Sequence, residues 1–220
     1  MKRNQSGFTL IEIAIVLVII GLLLGGVLKG QELINSAKVK NLASDFKNTA
    51  LFIYSYQDKY HALPGDDALA ASHVTGAATA STPTNMLGNG RIDGWWDSAT
   101  KTDESFLFWQ HVRLSGIAAG VTDINDSIGY PPRNTSGGLL GVTNSAAELP
   151  ITGLKGGYVI CSGGILGKFA KQLDVSLDDG NTATGTMMAI ADLGTHPSTT
   201  AGAPVANPID TDLYTVCQGV

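Results

Sequence analysis

The chain has 220 residues, of which 44% are hydrophobic and 15% are charged. This balance excludes an intrinsically disordered protein, because disordered chains have too few apolar residues to form a core. The formal net charge is −5, and lysine and arginine form no long run. A general nucleic-acid-binding protein is therefore not expected, since such proteins present a clustered basic surface.

A long apolar run occupies the start of the chain. Between residues 8 and 28 the only charged residue is Glu12. About 20 helical residues, at about 1.5 Å each, cross a bilayer core about 30 Å thick, so this run predicts a membrane-spanning helix. Lys2 and Arg3 precede it. Because basic residues stay on the cytoplasmic side, we expect the chain after Lys29 to lie outside the cytoplasm.

The junction between the first seven residues and the apolar run carries a distinctive motif. The stretch Gly7-Phe8-Thr9-Leu10-Ile11-Glu12 closely resembles the cleavage and methylation motif of type IV pilins and type II secretion pseudopilins. The resemblance implies that a membrane-bound prepilin peptidase removes residues 1–7 as a leader and methylates the new amino terminus on Phe8. Residues 8–28 then remain as a transmembrane and filament-core helix.

Glu12 is the one ionisable group inside this run. A carboxylate about one turn inside an apolar helix costs about 2.5–3.5 kcal/mol on insertion, which makes it a candidate for a functional role. By the resemblance, Glu12 pairs with the positive amino terminus of a neighbouring subunit and so guides assembly. That amine exists only after cleavage at Gly7. The alternative is that Glu12 lies close enough to the membrane surface to be solvated.

The helical pattern continues beyond the apolar run. Apolar residues recur at helical spacing from Leu33 to Tyr60, with lysines and aspartates between them. This pattern predicts that residues 29–60 extend the helix as an amphipathic segment. Leu63-Pro64-Gly65 ends it, because proline and glycine oppose helix continuation. Residues 61–220 are numerous enough to form one globular head with its own core.

Several elements are predicted inside this head. Residues 103–115 predict a helix with Asp103 as its N-cap, and residues 168–173 predict a shorter helix. The short β-rich stretches are 156–161, 187–191 and 213–217. No strand is placed between residues 117 and 150. We expect an α+β fold, in which a long N-terminal helix packs on a small antiparallel β-sheet head, similar to pilins.

The two cysteines, Cys161 and Cys217, both lie in the last third of the chain. Disulfides persist outside the cytoplasm, so we expect these residues to be bonded and to close the C-terminal segment of the head. Such a bridge stabilises a fold by about 4 kcal/mol in the chain-entropy model. Two buried free thiols are the alternative.

Acidic, glycine-rich turns recur in the head and raise the question of metal binding. The stretch Gly88-Asn89-Gly90-Arg91-Ile92-Asp93-Gly94 partly follows a calcium-loop pattern, although Arg91 stands where a ligand belongs. Leu177-Asp178-Asp179-Gly180 is a second such turn. If the turns converge, the candidate calcium ligands are Asn89, Asp93, Asp178 and Asp179, since some pseudopilins hold calcium in similar loops. The alternative is that they form Asx turns without any cofactor.

The resemblance implies a structural subunit of a type IV pilus-like filament. Its partners would be further copies of itself, other pilin-like subunits, the prepilin peptidase and an inner-membrane assembly platform. Before assembly, the chain would cross the bacterial inner membrane once and hold its head outside the cytoplasm. Afterwards it would lie in a cell-surface pilus. The main alternative is a type II secretion pseudopilin, which builds a short periplasmic piston.

A membrane-anchored binding module or enzyme is the remote alternative. The sequence lacks the Gly-x-Ser-x-Gly, His-Glu-x-x-His, P-loop and Gly-x-Gly-x-x-Gly motifs that indicate familiar active sites. Its four histidines are isolated from one another in sequence. We therefore expect no catalytic residues and no enzymatic activity.

Overall fold

The computed structural model of the protein describes residues 9–144, 147–192, 194, 196–198 and 200–220. Gly7 and Phe8, the predicted cleavage and methylation residues, lie outside the described residues. The chain divides into two compact units, Met1–Lys38 and Val39–Val220. The elements in chain order are α1 (Leu10–Tyr60), α2 (Ala70–His73), α3 (Glu104–Leu114), β1 (Leu140–Thr143), β2 (Val159–Leu166), α4 (Gly167–Leu177), β3 (Met187–Ala191) and β4 (Leu213–Gly219).

The described part of the first unit is the beginning of helix α1. Every residue from 10 to 29 is exposed, and most of them are leucine, isoleucine or valine. By length and composition, α1 is able to cross a membrane. The helix therefore has the length and the apolar composition that the sequence predicted for a membrane-spanning segment.

The part of α1 that belongs to the second unit packs on the head through one stripe of side chains. The buried residues recur at alternating spacings of three and four, namely Val39, Leu42, Phe46, Thr49, Ile53 and Tyr56. This spacing keeps them on one face of the helix. Thr49 is tolerated there because its hydroxyl donates a hydrogen bond to the Asp45 carbonyl oxygen at 2.7 Å. The amphipathic helix expected from the sequence is present.

The four strands form one antiparallel sheet in the order β1-β2-β4-β3. Ile160, Val216 and Met187 belong to the core that includes the α1 stripe. Their sequence neighbours Cys161, Cys217 and Met188 belong to a second core around Trp96. This alternation is the two-residue period of a strand, and it gives the sheet an apolar layer on each face. The expected α+β fold, a long N-terminal helix with a small antiparallel sheet, is confirmed.

Cys161 in β2 lies directly opposite Cys217 in β4, and the two residues are joined by a disulfide. The bridge expected from the sequence is therefore present. It links the two central strands of the sheet and closes the C-terminal segment of the chain.

Some element boundaries differ from the sequence prediction. Strand β1 lies in the segment where no strand was placed. Strand β2 was expected to end at Cys161, but it continues to Leu166 through an irregularity between Ser162 and Ile165. The glycines there break the strand pattern without ending the strand. Helix α4 is longer than the predicted residues 168–173, because it runs from Gly167 to Leu177.

Helix α3 agrees closely with the prediction, since it runs from Glu104 to Leu114 with Asp103 in the N-cap position. The Asp103 side chain, however, makes no capping hydrogen bond. Its carboxylate instead accepts hydrogen bonds from the hydroxyls of Thr82 and Ser98. Asp103 therefore ties neighbouring loops to the start of the helix.

Candidate functional site

Thr9 and Glu12 form a reciprocal cap at the start of α1. The backbone N–H and the hydroxyl of Thr9 both donate to Glu12 Oε2 at 2.7 Å, and the Glu12 N–H approaches Thr9 Oγ1 at 3.4 Å. This arrangement is a capping box, in which the glutamate satisfies a backbone N–H that the helix itself leaves unpaired. Glu12 therefore holds its carboxylate at the very end of the helix.

The role of Thr9 was missed at the sequence level. The Thr-x-x-Glu spacing of Thr9 and Glu12 is the signature of a capping box, and it was available in the sequence. The same two residues also belong to the processing motif, which obscures this signature.

The apolar surface that follows the cap is continuous. Leu10 is 89% exposed and Leu22 is 74% exposed, and the isoleucines and valines between them are exposed as well. Soluble monomers rarely expose apolar patches of this extent, so the surface requires lipid or other helices around it. Helix insertion into a membrane and helix packing in a filament both meet this requirement.

Residues 2–28 match the family model of the prokaryotic N-terminal methylation motif. The chain carries a prepilin signal. The match supports the class of type IV pilins and pseudopilins, and with the apolar helix it indicates a membrane-anchored precursor. A motif of this class also implies assembly into filaments with other pilin-type subunits. Neither the comparison with curated proteins nor that with solved structures found a match to this chain.

Within the described part of the head, one cluster of acidic residues is built around Asp66. This carboxylate is buried and accepts hydrogen bonds from the backbone N–H groups of Gly88, Asn89, Gly90 and Arg91. Burial raises its pKa, and these four N–H groups oppose that rise. Asp66 thus organises the loop that the sequence assigned to calcium.

Within the same loop, Asn89 and Asp93 are bonded to each other. Asn89 Nδ2 donates to Asp93 Oδ2 at 2.7 Å, and the Asp93 N–H donates to Glu104 Oε2 at 2.8 Å. Glu104 is almost completely buried, and burial raises its pKa to about 8. The Asp93 N–H opposes this rise, and the negative charges of Asp66, Asp93 and Asp103 contribute to it. Glu104 is therefore mostly protonated at neutral pH.

A buried histidine connects this region to helix α3. His111 Nδ1 accepts the Gly65 N–H at 3.0 Å, so Nε2 carries the proton and donates to the Ala78 carbonyl oxygen at 2.7 Å. Burial lowers the pKa of His111, which favours the neutral ring. Gly65 has a φ of +94°, and a Cβ there would lie 2.3 Å from the Glu104 carbonyl oxygen. Only glycine fits this position. His111 has a structural role, because both of its ring nitrogens are hydrogen-bonded to the backbone.

The second acidic cluster lies at the C-terminal end of α4. Its members are Asp174, Asp178 and Asp179, whose carboxylates each offer an oxygen within 4.8 Å of the others. Burial raises the pKa of Asp174 to about 6. The N–H groups of Gly180 and Asn181 oppose this rise, and the charges of Asp179 and Asp178 add to it.

The predicted calcium ligands are thus divided between the two clusters. Asn89 and Asp93 belong to the loop around Asp66, whereas Asp178 and Asp179 lie with Asp174. The four residues therefore do not form one site. Asp174 was not predicted, although its position four residues before Asp178 places both at the same side of a helix end.

Proposed function

We propose that the chain is a structural subunit of a type IV pilus-like filament. In this proposal, prepilin peptidase removes residues 1–7, the new terminus on Phe8 is methylated, and the subunits polymerise through the helix that follows. The observation that carries the proposal is the exposed, mostly apolar surface of residues 10–29, which begins inside the matched prepilin motif. Packing against the same helix of other subunits would cover it. The role is structural and not enzymatic.

The Thr9–Glu12 cap supports a specific role for Glu12 in this assembly. Because the carboxylate accepts the Thr9 N–H, it lies at the terminus of the helix. Cleavage after Gly7 would create a free amine on the residue that precedes Thr9 in the sequence. In a neighbouring subunit, such an amine is the complementary charge. A carboxylate in an apolar filament core needs such a partner, since removing one member of a buried ion pair costs about 3–5 kcal/mol.

The substitution Glu12→Gln tests this role. Glutamine can still accept the Thr9 N–H, so the cap is retained while the charge is lost. We expect the variant to enter the membrane and to be cleaved after Gly7, but to yield few or no filaments. Filament yield is measured by immunoblotting of the sheared fraction and by electron microscopy.

The matched control for this experiment is Glu32→Gln, because Glu32 lies on the same helix and is exposed. Glu32 pairs with Lys29 at 2.7 Å, an exposed contact that contributes little to stability. The control should form filaments normally. Wild-type filament yield from Glu12→Gln would remove Glu12 from the assembly mechanism.

The location of the processed protein distinguishes a pilus from a secretion pseudopilus. A surface pilus releases the subunit into the sheared fraction, whereas a pseudopilus keeps it in the envelope. The disulfide across β2 and β4 favours the pilus by resemblance only, because a C-terminal disulfide loop recurs in pilins whereas many pseudopilins lack one. The proposed location is therefore the inner membrane before assembly and the cell surface afterwards. The prepilin peptidase and an inner-membrane platform are the proposed assembly partners.

A further inference from the structure

A cavity of about 170 Å³ lies in the head beside helix α3. Its lining includes four aromatic side chains, namely Trp96, Phe106, Trp109 and Tyr130. Protein interiors are packed so closely that voids larger than a water molecule are few. Ligand pockets, in contrast, are concave and lined mostly by apolar and aromatic side chains. The cavity therefore has the character of a ligand site.

The aromatic walls are held in place by contacts with each other. Phe106 and Trp109 lie three residues apart on α3, so they lie on the same side of the helix. The Phe106 ring stacks on the Tyr130 ring with 4.7 Å between centroids, and the Tyr130 hydroxyl donates to the Phe106 carbonyl oxygen at 2.8 Å. Walls fixed in this way exist before a ligand arrives, which favours binding. Three prolines add further apolar rings to the lining, namely Pro131, Pro132 and Pro197.

One side of the cavity is formed by a segment that follows β3. His196 and Pro197 belong to the lining, and the His196 ring lies edge-on to the Trp96 ring with 5.8 Å between centroids. The buried Asp97 carboxylate fixes this segment. Its Oδ2 lies 2.5 Å from His196 Nδ1 and accepts the Ser198 hydroxyl at 2.9 Å. The cavity thus depends on a contact between residues 99 apart in the sequence.

Polar side chains at the cavity already have partners within the protein. The Ser98 hydroxyl donates to Asp103 Oδ2 at 2.6 Å. The Ser105 hydroxyl donates to the Trp95 carbonyl oxygen at 2.9 Å. A sugar would bury several hydroxyl groups here with few free partners, and each buried polar group without a partner is costly. The cavity therefore favours a ligand with little polar surface.

Charges of both signs near the cavity disfavour a charged ligand. The Arg113 guanidinium lies 5.5 Å from the centre of the Trp109 ring and 5.2 Å from that of the Tyr130 ring, so both rings already face a cation. Lys101 and Asp97 both belong to the lining and carry opposite charges. Arg113 and Lys101 would repel a cationic ligand, and Asp97 would repel an anionic one. An uncharged ligand avoids both repulsions.

We propose that this cavity binds a small, uncharged aromatic molecule of one ring, such as a simple phenol. A cavity of about 150 Å³ is large enough to hold benzene, so the volume fits one ring and little more. The aromatic walls favour such a ring, because aromatic pairs gain energy from offset-stacked and edge-to-face contacts. The cavity lies within the head, so the proposal does not depend on whether the chain forms filaments.

The test titrates p-cresol into the full-length chain in detergent by isothermal titration calorimetry. A titration into protein-free detergent corrects for p-cresol that enters the micelles. We expect one molecule per chain and a dissociation constant of roughly 1 mM or below, since so few atoms supply limited binding energy. The Tm should rise with p-cresol concentration relative to a variant that does not bind it, because a ligand that binds only the folded state stabilises it.

Related compounds test the chemical class of the ligand. Methylbenzoate and methylbenzylamine carry a similar ring with a negative and a positive charge. Both should bind at least about tenfold more weakly than p-cresol, because a charge is costly to bury without a partner. Methyl glucoside should not bind.

Two variants and a control test the location of the site. Ala99 and Ser127 line the cavity but are exposed, so Ala99→Trp and Ser127→Trp should fill its rim without endangering the fold. Each should weaken p-cresol binding by roughly tenfold or more, since a cavity that holds one ring has no room for a second. Ala71→Trp, at an exposed position of α2, is the matched control and should bind p-cresol like the wild type.

Absence of saturable p-cresol binding by the wild type would overturn the site. So would wild-type affinity in both Ala99→Trp and Ser127→Trp, or tighter binding of methyl glucoside or of either charged compound. Tighter binding of N-acetyltyrosinamide than of p-cresol would show that the cavity receives a tyrosine side chain of a partner protein. That result would also overturn the proposal of a free small molecule.

Discussion

At the scale of single residues, the head is marked by buried acidic groups that serve different purposes. Asp66 binds four backbone N–H groups, and Asp67 accepts a hydrogen bond from the Tyr56 hydroxyl at 2.8 Å. Glu104 accepts only one N–H through Oε2, while its buried Oε1 has no partner among the described residues. A proton is therefore the simplest way for Glu104 to avoid an unsatisfied charge.

The raised pKa of Glu104 predicts a pH dependence of stability. The unfolded chain releases this proton near pH 4.5, whereas the folded protein retains it to about pH 8. The folded state binds more protons than the unfolded state in this window. The contribution of Glu104 to the free energy of unfolding therefore falls as pH rises from about 4.5 to about 8. The total effect is on the order of a few kcal/mol, since each pKa unit corresponds to about 1.4 kcal/mol.

Glu104→Gln should remove this dependence, because glutamine mimics the protonated form at every pH. We expect its Tm relative to wild type to increase between pH 5 and pH 8.5, measured by thermal unfolding of the full-length chain. Glu148→Gln is the control, because Glu148 also accepts a backbone N–H, from Gly94, but is not fully buried. If the Tm values of wild type and Glu104→Gln changed in parallel with pH, the raised pKa of Glu104 would be contradicted.

Single residues were predictable from the sequence only where a local pattern identifies them. Glu12 stands out as the one charge in an apolar run, and the two cysteines stand out by rarity. Asp174 and His111 do not stand out, because their roles depend on burial by segments distant in sequence. Burial of a polar residue is a tertiary property that no local pattern records.

At the scale of elements, helix α1 carries two kinds of surface along one continuous helix. Its first part exposes apolar residues on every side, and its second part buries one stripe and exposes the rest. The sequence predicted this change of character correctly. It predicted an apolar face between Leu33 and Tyr60 but did not place Thr49 and Tyr56 on it, because a polar or half-polar side chain interrupts a simple apolar pattern.

The stripe on α1 predicts that substitutions at nearby positions of the helix differ sharply in how much they destabilise the head. Ile53 is fully buried in the core, whereas Leu51 on the same helix is 59% exposed. Ile53→Ala should destabilise the head by about 2–5 kcal/mol, through lost burial and the cavity left behind. Leu51→Ala should change stability by no more than about 0.5 kcal/mol. Denaturant unfolding monitored by near-ultraviolet circular dichroism measures both, and equal destabilisation would contradict the packing of α1 on the sheet.

The strands were predicted less completely than the helices. Strand β3 was placed correctly at Met187–Ala191, whereas β1 was missed within a glycine-rich segment. The two central residues of β1 are Gly141 and Val142, and its pairing depends on β2, which lies later in the sequence. A short strand of this kind is specified by its partner and not by its own composition.

At the scale of the whole molecule, a motif of a few residues and a large head have separate tasks. The motif and the exposed helix behind it belong to processing, membrane insertion and assembly in the proposed function. The head contains a disulfide across its central strands and buried aromatic side chains, which stabilise a separate folded unit. The class of the protein was predictable from the sequence because the motif is local. The acidic clusters were not, because the fold brings their members together.

The most direct test of the proposed function is mass spectrometry of the amino-terminal peptide from sheared filaments. The account predicts that the mature chain begins at an N-methylated Phe8, and that Gly7→Ala accumulates as an uncleaved membrane precursor absent from this fraction. Filaments built from chains that retain residues 1–7 would contradict it.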